Sequence, residues 1–394
     1  MWRAYHSWKR RYGRYRLYRV HRREATKLLR PIERQKGRLP RSIRRQTREY
    51  ATEVLGWNGY ADWLQVYAAV AGEFREGWIP GNYYSQVVLP TINRKAGQIS
   101  SIRSLSRHLF RSPHFPDRAH VMNGRLMSPS FRPIPDDAWE HTLFRHSSRV
   151  VFKPDGGRES SGVMLLDART LDRERLRKLP DGTLQEFVVQ HELFDRIAPG
   201  FVTTLRITTV LHSDGRARAR AAFLRTGIDP NQHAPQAADF CIPLNRATGE
   251  LEELYIPVSV ESGRLGAFGY LPDWTETERH PVSDIMFAGL ETPAFREAVS
   301  VVEKLHNRIP HVGCIGWDVA ISRQGEVRLL EWNARLPAIT FAEAAMGPCF
   351  TGLGWEHLWR PPEQRPVPAT PPLQDPPGNK VKAPMTAKAR PKPA

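Results

Sequence analysis

Cysteine is scarce. The chain has three, Cys241, Cys314 and Cys349, and this odd, scattered set matches neither a disulfide framework nor a zinc spacing. A reducing, cytoplasmic setting is therefore expected. No run of about 18 apolar residues occurs, so no membrane span is expected. The basic N-terminus leads into no apolar stretch, which argues against a secretory signal. No internal repeat is visible. Acidic residues are few at the two ends: residues 1–50 hold 18 Lys/Arg against 3 Glu, and residues 361–394 hold 6 against 2. Of the formal charge of +17, the ends take +15 and +4, which leaves −2 for residues 51–360. The body is nearly neutral, so a nucleic-acid-binding role would rest on the arm alone, through salt-dependent contacts.

What is present is enough for a large core: 394 residues, 40% of them hydrophobic, suit two or three packed subdomains. Residues 1–50 read as a basic, aromatic, helical arm. Trp2, Tyr5, Trp8, Tyr12, Tyr15 and Tyr18 recur every three or four positions and share one broad face, although Gly13 weakens the helix. Such a face on residues 1–30 suits an anionic membrane surface or a nucleic-acid backbone. The alternative packs the aromatics on the body and leaves the arginines solvated. Residues 51–100 form a helical lead-in, with Trp57, Trp63, Leu64 and Tyr67 expected in the core. A short helix is expected over 102–111. From 150 onward, strands are expected over 150–153, 162–166, 184–190, 204–211, 217–224, 314–322 and 327–332. Helices are expected over 171–178 and 292–307. This mixture predicts an α+β arrangement. The tail, 361–394, holds 11 of the 33 prolines and is expected to be disordered.

The segment 314–334, CIGWDVAISRQGEVRLLEWNA, carries the most information. A two-residue turn at Gln324-Gly325 would place Asp318 directly opposite Glu331, Trp317 opposite Trp332 and Val319 opposite Leu330. Asn333 would share the face of Asp318 and Glu331. Two carboxylates directly across a ladder repel. A divalent cation would offset this, and an oxygen-only set favours magnesium over zinc. The alternative is a surface hairpin whose acids point to solvent or pair with arginines.

Upstream, VVFKPDGGRESSGVMLLD places Lys153 beside a loop with Gly156, Gly157, Ser160, Ser161 and Gly162. Backbone N–H groups there can approach phosphate oxygens, and Lys153 adds a point charge. The Lys position differs from a Walker A loop. Next come LQEFVVQH and TTLRITTV. The second puts Arg206 in mid-strand among apolar neighbours, which calls for a site or a partner carboxylate on an adjacent strand. His280 before Pro281 reads as a structural histidine in a turn.

In this order the motifs VVFKPDGG, LQEFVVQH, TTLRITTV, HPVSDIMFAGLETP, IGWDVAISRQG and LLEWNA resemble the ATP-grasp superfamily, and within it the sugar-transfer-associated family, over about residues 100–355. The resemblance implies an ATP-grasp domain over 101–355, with two α+β subdomains gripping ATP behind the helical N-terminal region. It implies that Lys153 and the loop meet the phosphates and that Gln185, Glu186, Phe187 and Val188 meet the adenine, with Gln190 or His191 near the ribose. Arg206 would stabilise the transferred phosphoryl group, and Asp318, Glu331 and Asn333 would hold Mg²⁺. Two departures stand out. Arg103 and Arg107 occupy the place of an early nucleotide-binding lysine, and Ala237-Ala238 stand where glycines are usual. The implied function is an ATP- and magnesium-dependent carboxylate–amine ligase acting on a sugar acid or amino sugar in polysaccharide assembly. The alternatives are a phosphotransferase to a hydroxyl, or nucleic-acid binding through the arm. A further variant docks the enzyme peripherally on the inner membrane surface.

Overall fold

The computed structural model describes residues 2–156, 162–228 and 253–366, with side chains from Tyr18 onward. The aromatic face of residues 2–15, Gly157, Ser160, Ser161, Ala237-Ala238, Cys241 and the tail from 367 lie outside the described residues.

Helices form a layer at the N-terminus. α1 (Trp2–Lys36) runs through Gly13 and Pro31, and is followed by α2 (Arg41–Glu53) and α3 (Ala61–Ala71). Ala25, Leu28 and Ile32 fall on one stripe of α1 and are buried in a core shared with Trp63, Leu64 and Tyr67 of α3. Trp57 departs from expectation. It lies in the turn after α2, 37% exposed, between Tyr18 and Tyr60. The short helix α4 (Ser106–Phe110) then leads into the sheets.

Two sheets follow, and every strand pair in them is antiparallel. The first contains β1 (Asp117–Met122), β2 (Arg125–Met127), β3 (Arg149–Pro154), β4 (Met164–Asp167) and β5 (Gly182–Glu186), in the order β2-β1-β5-β3-β4. One face carries Ala119, Val121, Phe152 and Leu184 and is apolar. The alternation of side chains puts Lys153, Thr183 and His120 on the other face, because these three positions are paired across β3, β5 and β1.

The second sheet contains β6 (Thr204–Leu211), β7 (Ala217–Thr226), β8 (Leu254–Val258), β9 (Gly269–Tyr270), β10 (Glu276–Thr277), β11 (Cys314–Ile321) and β12 (Val327–Asn333), in the order β10-β9-β8-β7-β6-β11-β12. All of β11 is buried. On one side, α5 (Phe295–His306) lays Phe295, Ala298, Val302 and Leu305 against Ile207, Ile315 and Trp317. On the other side, Phe341 of α6 (Thr340–Met346) packs on Phe223 and Tyr255 at 4.8 and 5.0 Å between ring centres, joining the sheet to the helical layer.

The hairpin β11–β12 has the expected pairs Trp317–Trp332 and Asp318–Glu331, but for a different reason. The turn holds three residues, Arg323–Gly325, closed by the Ser322 N–H to Glu326 carbonyl bond at 2.9 Å, and Gly325 takes φ +81°. Val319 therefore pairs with Leu329, not Leu330. A bulge at Leu330 absorbs the extra residue and restores the register at Asp318.

Candidate active site

Asp318 lies directly across β6–β11 from Arg206 and across β11–β12 from Glu331. Its carboxylate is buried and accepts four N–H bonds. Arg206 donates Nε–H to Oδ1 at 2.6 Å and Nη2–H to Oδ2 at 3.0 Å. Arg225 of β7 donates to Oδ1 at 2.6 Å, and the Asn333 amide to Oδ2 at 3.0 Å. Gly316 makes room for this: a Cβ there would stand 3.0 Å from Arg206 Nη1. The fork of Arg206 suits this bidentate grip.

The acid-acid repulsion is thus offset by arginines. This is the alternative weighed for the hairpin, and it removes the argument that proximity alone demands a cation. Glu331 is half-buried beside a second pair of cations. Arg103 donates Nε–H and Nη2–H to its Oε2, both at 3.3 Å, and Nη1–H to the Pro154 carbonyl at 2.6 Å. Lys153 donates to the Leu330 carbonyl at 2.9 Å, the peptide group that the bulge displaces. Burial lowers the Lys153 pKa, with Glu331 opposing and Arg103 reinforcing that shift.

The segment 93–104 clamps this junction. Asn93 donates to the Cys314 and Ala334 carbonyls at 2.8 and 2.6 Å. Ser100 Oγ accepts the Ala334 and Arg335 N–H groups. Ser104 donates to both carboxylate oxygens of Asp155, and the Gly156 N–H reaches the Ser101 carbonyl at 2.8 Å. The start of the Gly-rich loop is therefore tied beside Arg103. Gly156 and Gly162 take φ +68° and +84°, which favours glycine at both ends of the loop.

The structure brings Lys153, Arg206, Asp318, Glu331 and Asn333 together. The end of β5 and the linker after it are anchored by their side chains. Gln185 donates its amide to Asp117 at 2.9 Å, Glu186 pairs with Arg118 at 2.5 Å, and the Phe187 ring lies 4.1 Å from the Arg149 guanidinium carbon. Val188 is half-buried, and the Val189 carbonyl accepts the Arg323 N–H at the hairpin tip. Gln190 binds Asp195, the Phe201 carbonyl and the Thr203 N–H. His191 Nδ1 caps the helix Glu192–Ile197 by accepting the Leu193 N–H at 3.2 Å. Both side chains therefore have structural partners within the chain. His280 is the expected turn histidine, with Nε2–H donating to the Gly227 carbonyl at 2.8 Å and Nδ1 accepting from Val282 and Ser283.

Arg225 was not anticipated: β7 carries three arginines, Arg218, Arg220 and Arg225, and only the last is fully buried. Nor were Asp117 and His120, which are buried on the face carrying Lys153. Burial pushes Asp117 up to about 6 and His120 down to about 4.

The motifs that carried the resemblance can now be compared with known proteins. Residues 174–354 match the sugar-transfer associated ATP-grasp family. The ATP-grasp match takes in Arg206, Arg225, Asp318, Glu331 and Asn333, and begins after Lys153. Two antiparallel sheets behind a helical N-terminal region are the α+β architecture that this resemblance implies. No curated protein matches. Similar solved structures include an ADP complex of N5-carboxyaminoimidazole ribonucleotide synthetase, at 11% identity, TM-score 0.34, 60% of this chain and 45% of that one. The ATP-grasp ligase PsnB with its minimal precursor is similar at 15% identity, TM-score 0.37, 67% of this chain and 64% of that one. An L-amino acid ligase from Bacillus licheniformis is similar at 11% identity, TM-score 0.33, 72% of this chain and 55% of that one. The chain spans less than two thirds of each of these proteins.

In kind, Asp318, Glu331 and Asn333 suit magnesium: two carboxylates and a carboxamide, without thiolate or imidazole. In this structure, however, each Asp318 oxygen accepts two N–H bonds, which commits it to the arginines. Among the described residues no group of three His, Cys, Asp or Glu side chains is placed for a metal ion. A magnesium ion here would rest on Glu331 and Asn333, with phosphate oxygens and water completing its shell. That is its ordinary habit.

Proposed function

We propose that this chain is an Mg-ATP-dependent ligase of ATP-grasp type that joins a carboxylate to an amine. The observation that carries the reading is the contact of Lys153, from the first sheet, with the Leu330 carbonyl of the second, beside Glu331 and Arg103. Lys153 of the first sheet, Glu331 of the second and Arg103 of the clamping segment bring two cations and an acid to one point, as binding of a magnesium polyphosphate requires.

Lys153 and Arg103 bind and orient the phosphates, and Arg206 meets the charge that develops on the transferred group. Glu331 and Asn333 would hold magnesium, with Asp318 behind them fixing Arg206; magnesium bound there would supply charge neutralisation. A substrate carboxylate oxygen attacks the γ-phosphorus and ADP leaves. The amine nitrogen then attacks the acyl carbon, loses a proton and displaces inorganic phosphate. Catalysis is positioning and charge stabilisation. The sugar-transfer association in the family description supports a sugar-derived substrate, a sugar acid or amino sugar being the form that fits a carboxylate–amine ligase.

Calorimetry with ATP and magnesium tests this. Wild-type protein is expected to bind, and Glu331→Gln to bind about tenfold more weakly or worse, roughly 1.4 kcal/mol. Chelation of magnesium should cost the wild type a similar factor and the variant little more. Unchanged affinity in Glu331→Gln would overturn the assignment. ADP release that proceeds without an added amine, on a hydroxyl acceptor alone, would replace the ligase with a phosphotransferase.

A further inference from the structure

The arm was read for its aromatic face. The described side chains of α1 show something else. Arg19, Arg23, Arg30 and Arg34 are all exposed, and their spacing of four, seven and four residues puts them on one stripe of the helix. That stripe lies opposite Ala25, Leu28 and Ile32, which are buried against α3. It extends along about 22 Å of helix, at about 1.5 Å per residue. On α2, Arg41, Arg45 and Arg48 repeat the pattern, exposed at spacings of four and three. Arg22 and Arg30 of α1 and Arg48 of α2 line one open groove, so the two basic faces adjoin. The basic arm expected over residues 1–50 thus folds as two helices with neighbouring basic faces.

Two indoles lie at the C-terminal end of α2. Trp57 is 37% exposed and packs edge-on against Tyr18 at 5.1 Å. Trp359 is 42% exposed, and its Nε1–H donates to the Val54 carbonyl at 2.8 Å. Its ring covers Gly56, where a Cβ would stand 2.6 Å from it. Trp359 thus has its polar atom satisfied inward and apolar ring surface outward. Among the described residues no helix is long and apolar enough to cross a membrane.

We infer that α1 and α2 form a peripheral docking surface for an anionic lipid bilayer. Arginines in a straight stripe meet lipid headgroups, each cation near such a surface adding to the attraction. Trp57 and Trp359 enter the interfacial zone, where amphipathic rings concentrate. The indoles favour lipid over nucleic acid, since their apolar ring surface gains from the interfacial zone of a bilayer. The surface stands on residues outside the candidate active site, so it holds whether or not the ligase reading does.

Vesicle flotation of the full chain tests it. Vesicles of phosphatidylcholine with about 30% phosphatidylglycerol are compared with phosphatidylcholine alone. Wild-type protein is expected to float with the anionic vesicles only, and to be released as salt screens the charges. Arg19→Gln, Arg23→Gln, Arg30→Gln and Arg34→Gln combined should cut recovery at least tenfold, with nucleotide binding and melting temperature unchanged, and Trp359→Ala should cut it severalfold with nucleotide binding unchanged. Equal recovery of the quadruple variant would overturn the inference. So would flotation with neutral vesicles, or tight binding to an RNA or DNA oligonucleotide without any flotation.

Discussion

Asp318→Asn is expected to destabilise the fold by about 3–5 kcal/mol, the usual effect of breaking a buried ion network by removing one partner. Arg206 and Arg225 are only 1% and 2% exposed, and both direct their N–H groups at this one carboxylate. Asparagine keeps one acceptor oxygen and turns an NH₂ group toward donors. At least one guanidinium is then left charged and unpaired in the interior, where the penalty is largest. The loss should appear as a lower urea midpoint with an unchanged slope. Arg225→Met should cost less, because Arg206 and Asp318 still satisfy each other through two bonds. Removing all three charges together with Met, Met and Leu should recover much of the loss, since the penalty belongs to the unpaired charge. A change within about 1 kcal/mol for Asp318→Asn would sink this account of the network.

How far the site could be read from the sequence depends on which contacts are local. The β11–β12 hairpin spans few residues, so its alternating pattern was enough to put Asp318 across from Glu331. Even so, the expected turn was one residue too short, and the correct pairing survived only because the bulge at Leu330 cancels the difference. Bulges follow from packing on both faces of a strand and leave little trace in residue type. The same bulge presents the carbonyl that Lys153 binds, so it is part of the site and was invisible beforehand.

Non-local partners were the larger gap. The pairing of Arg206 with a carboxylate on an adjacent strand was anticipated in kind, but Asp318 had been assigned to a metal instead. Arg225 and Arg103 reach the site from segments far away in the chain, and spacing cannot report that. The hairpin β1–β2 was missed because its strands are short and polar: Asp117 and His120 break the apolar alternation from inside the fold. Trp57 shows the converse. Its size suggested the core, but it follows Gly56 in a tight turn and is held at the surface by Tyr18 and Tyr60.

A second large effect should appear with pH, through Glu343. This residue of α6 is fully buried where the helical layer meets the second sheet. Its Oε2 accepts the Ile79 N–H at 2.6 Å and its Oε1 the Cys349 N–H at 2.8 Å, while its own carbonyl accepts the Trp78 indole N–H at 2.7 Å. Burial pushes the carboxyl up to about 8, against these N–H bonds and nearby Arg220. The sign follows from proton counting. Between the ordinary 4.5 and about 8 the native state keeps a proton that the unfolded chain has released, so stability falls as pH rises. The slope is about 1.4 kcal/mol per pH unit. His120 and His306, lowered by burial to about 4, act in the opposite direction: the unfolded chain binds their protons up to its ordinary 6.5, so their effect raises stability with pH below that value. The elevated Asp117, at about 6, also finishes titrating lower down. His212 and His280 are lowered by burial too and act in the same direction as His120 and His306, so Glu343 is isolated by the difference between wild type and Glu343→Gln, which should shrink by roughly 2 kcal/mol from pH 6.5 to 8. Glu343→Gln should be less stable at pH 6.5 by about 1–3 kcal/mol, because its NH₂ faces a backbone N–H that has lost its acceptor. The variant should also lose the slope, so the two curves converge toward pH 8. Parallel curves over that range would mean that Glu343 stays ionised in the fold, with its N–H donors outweighing burial.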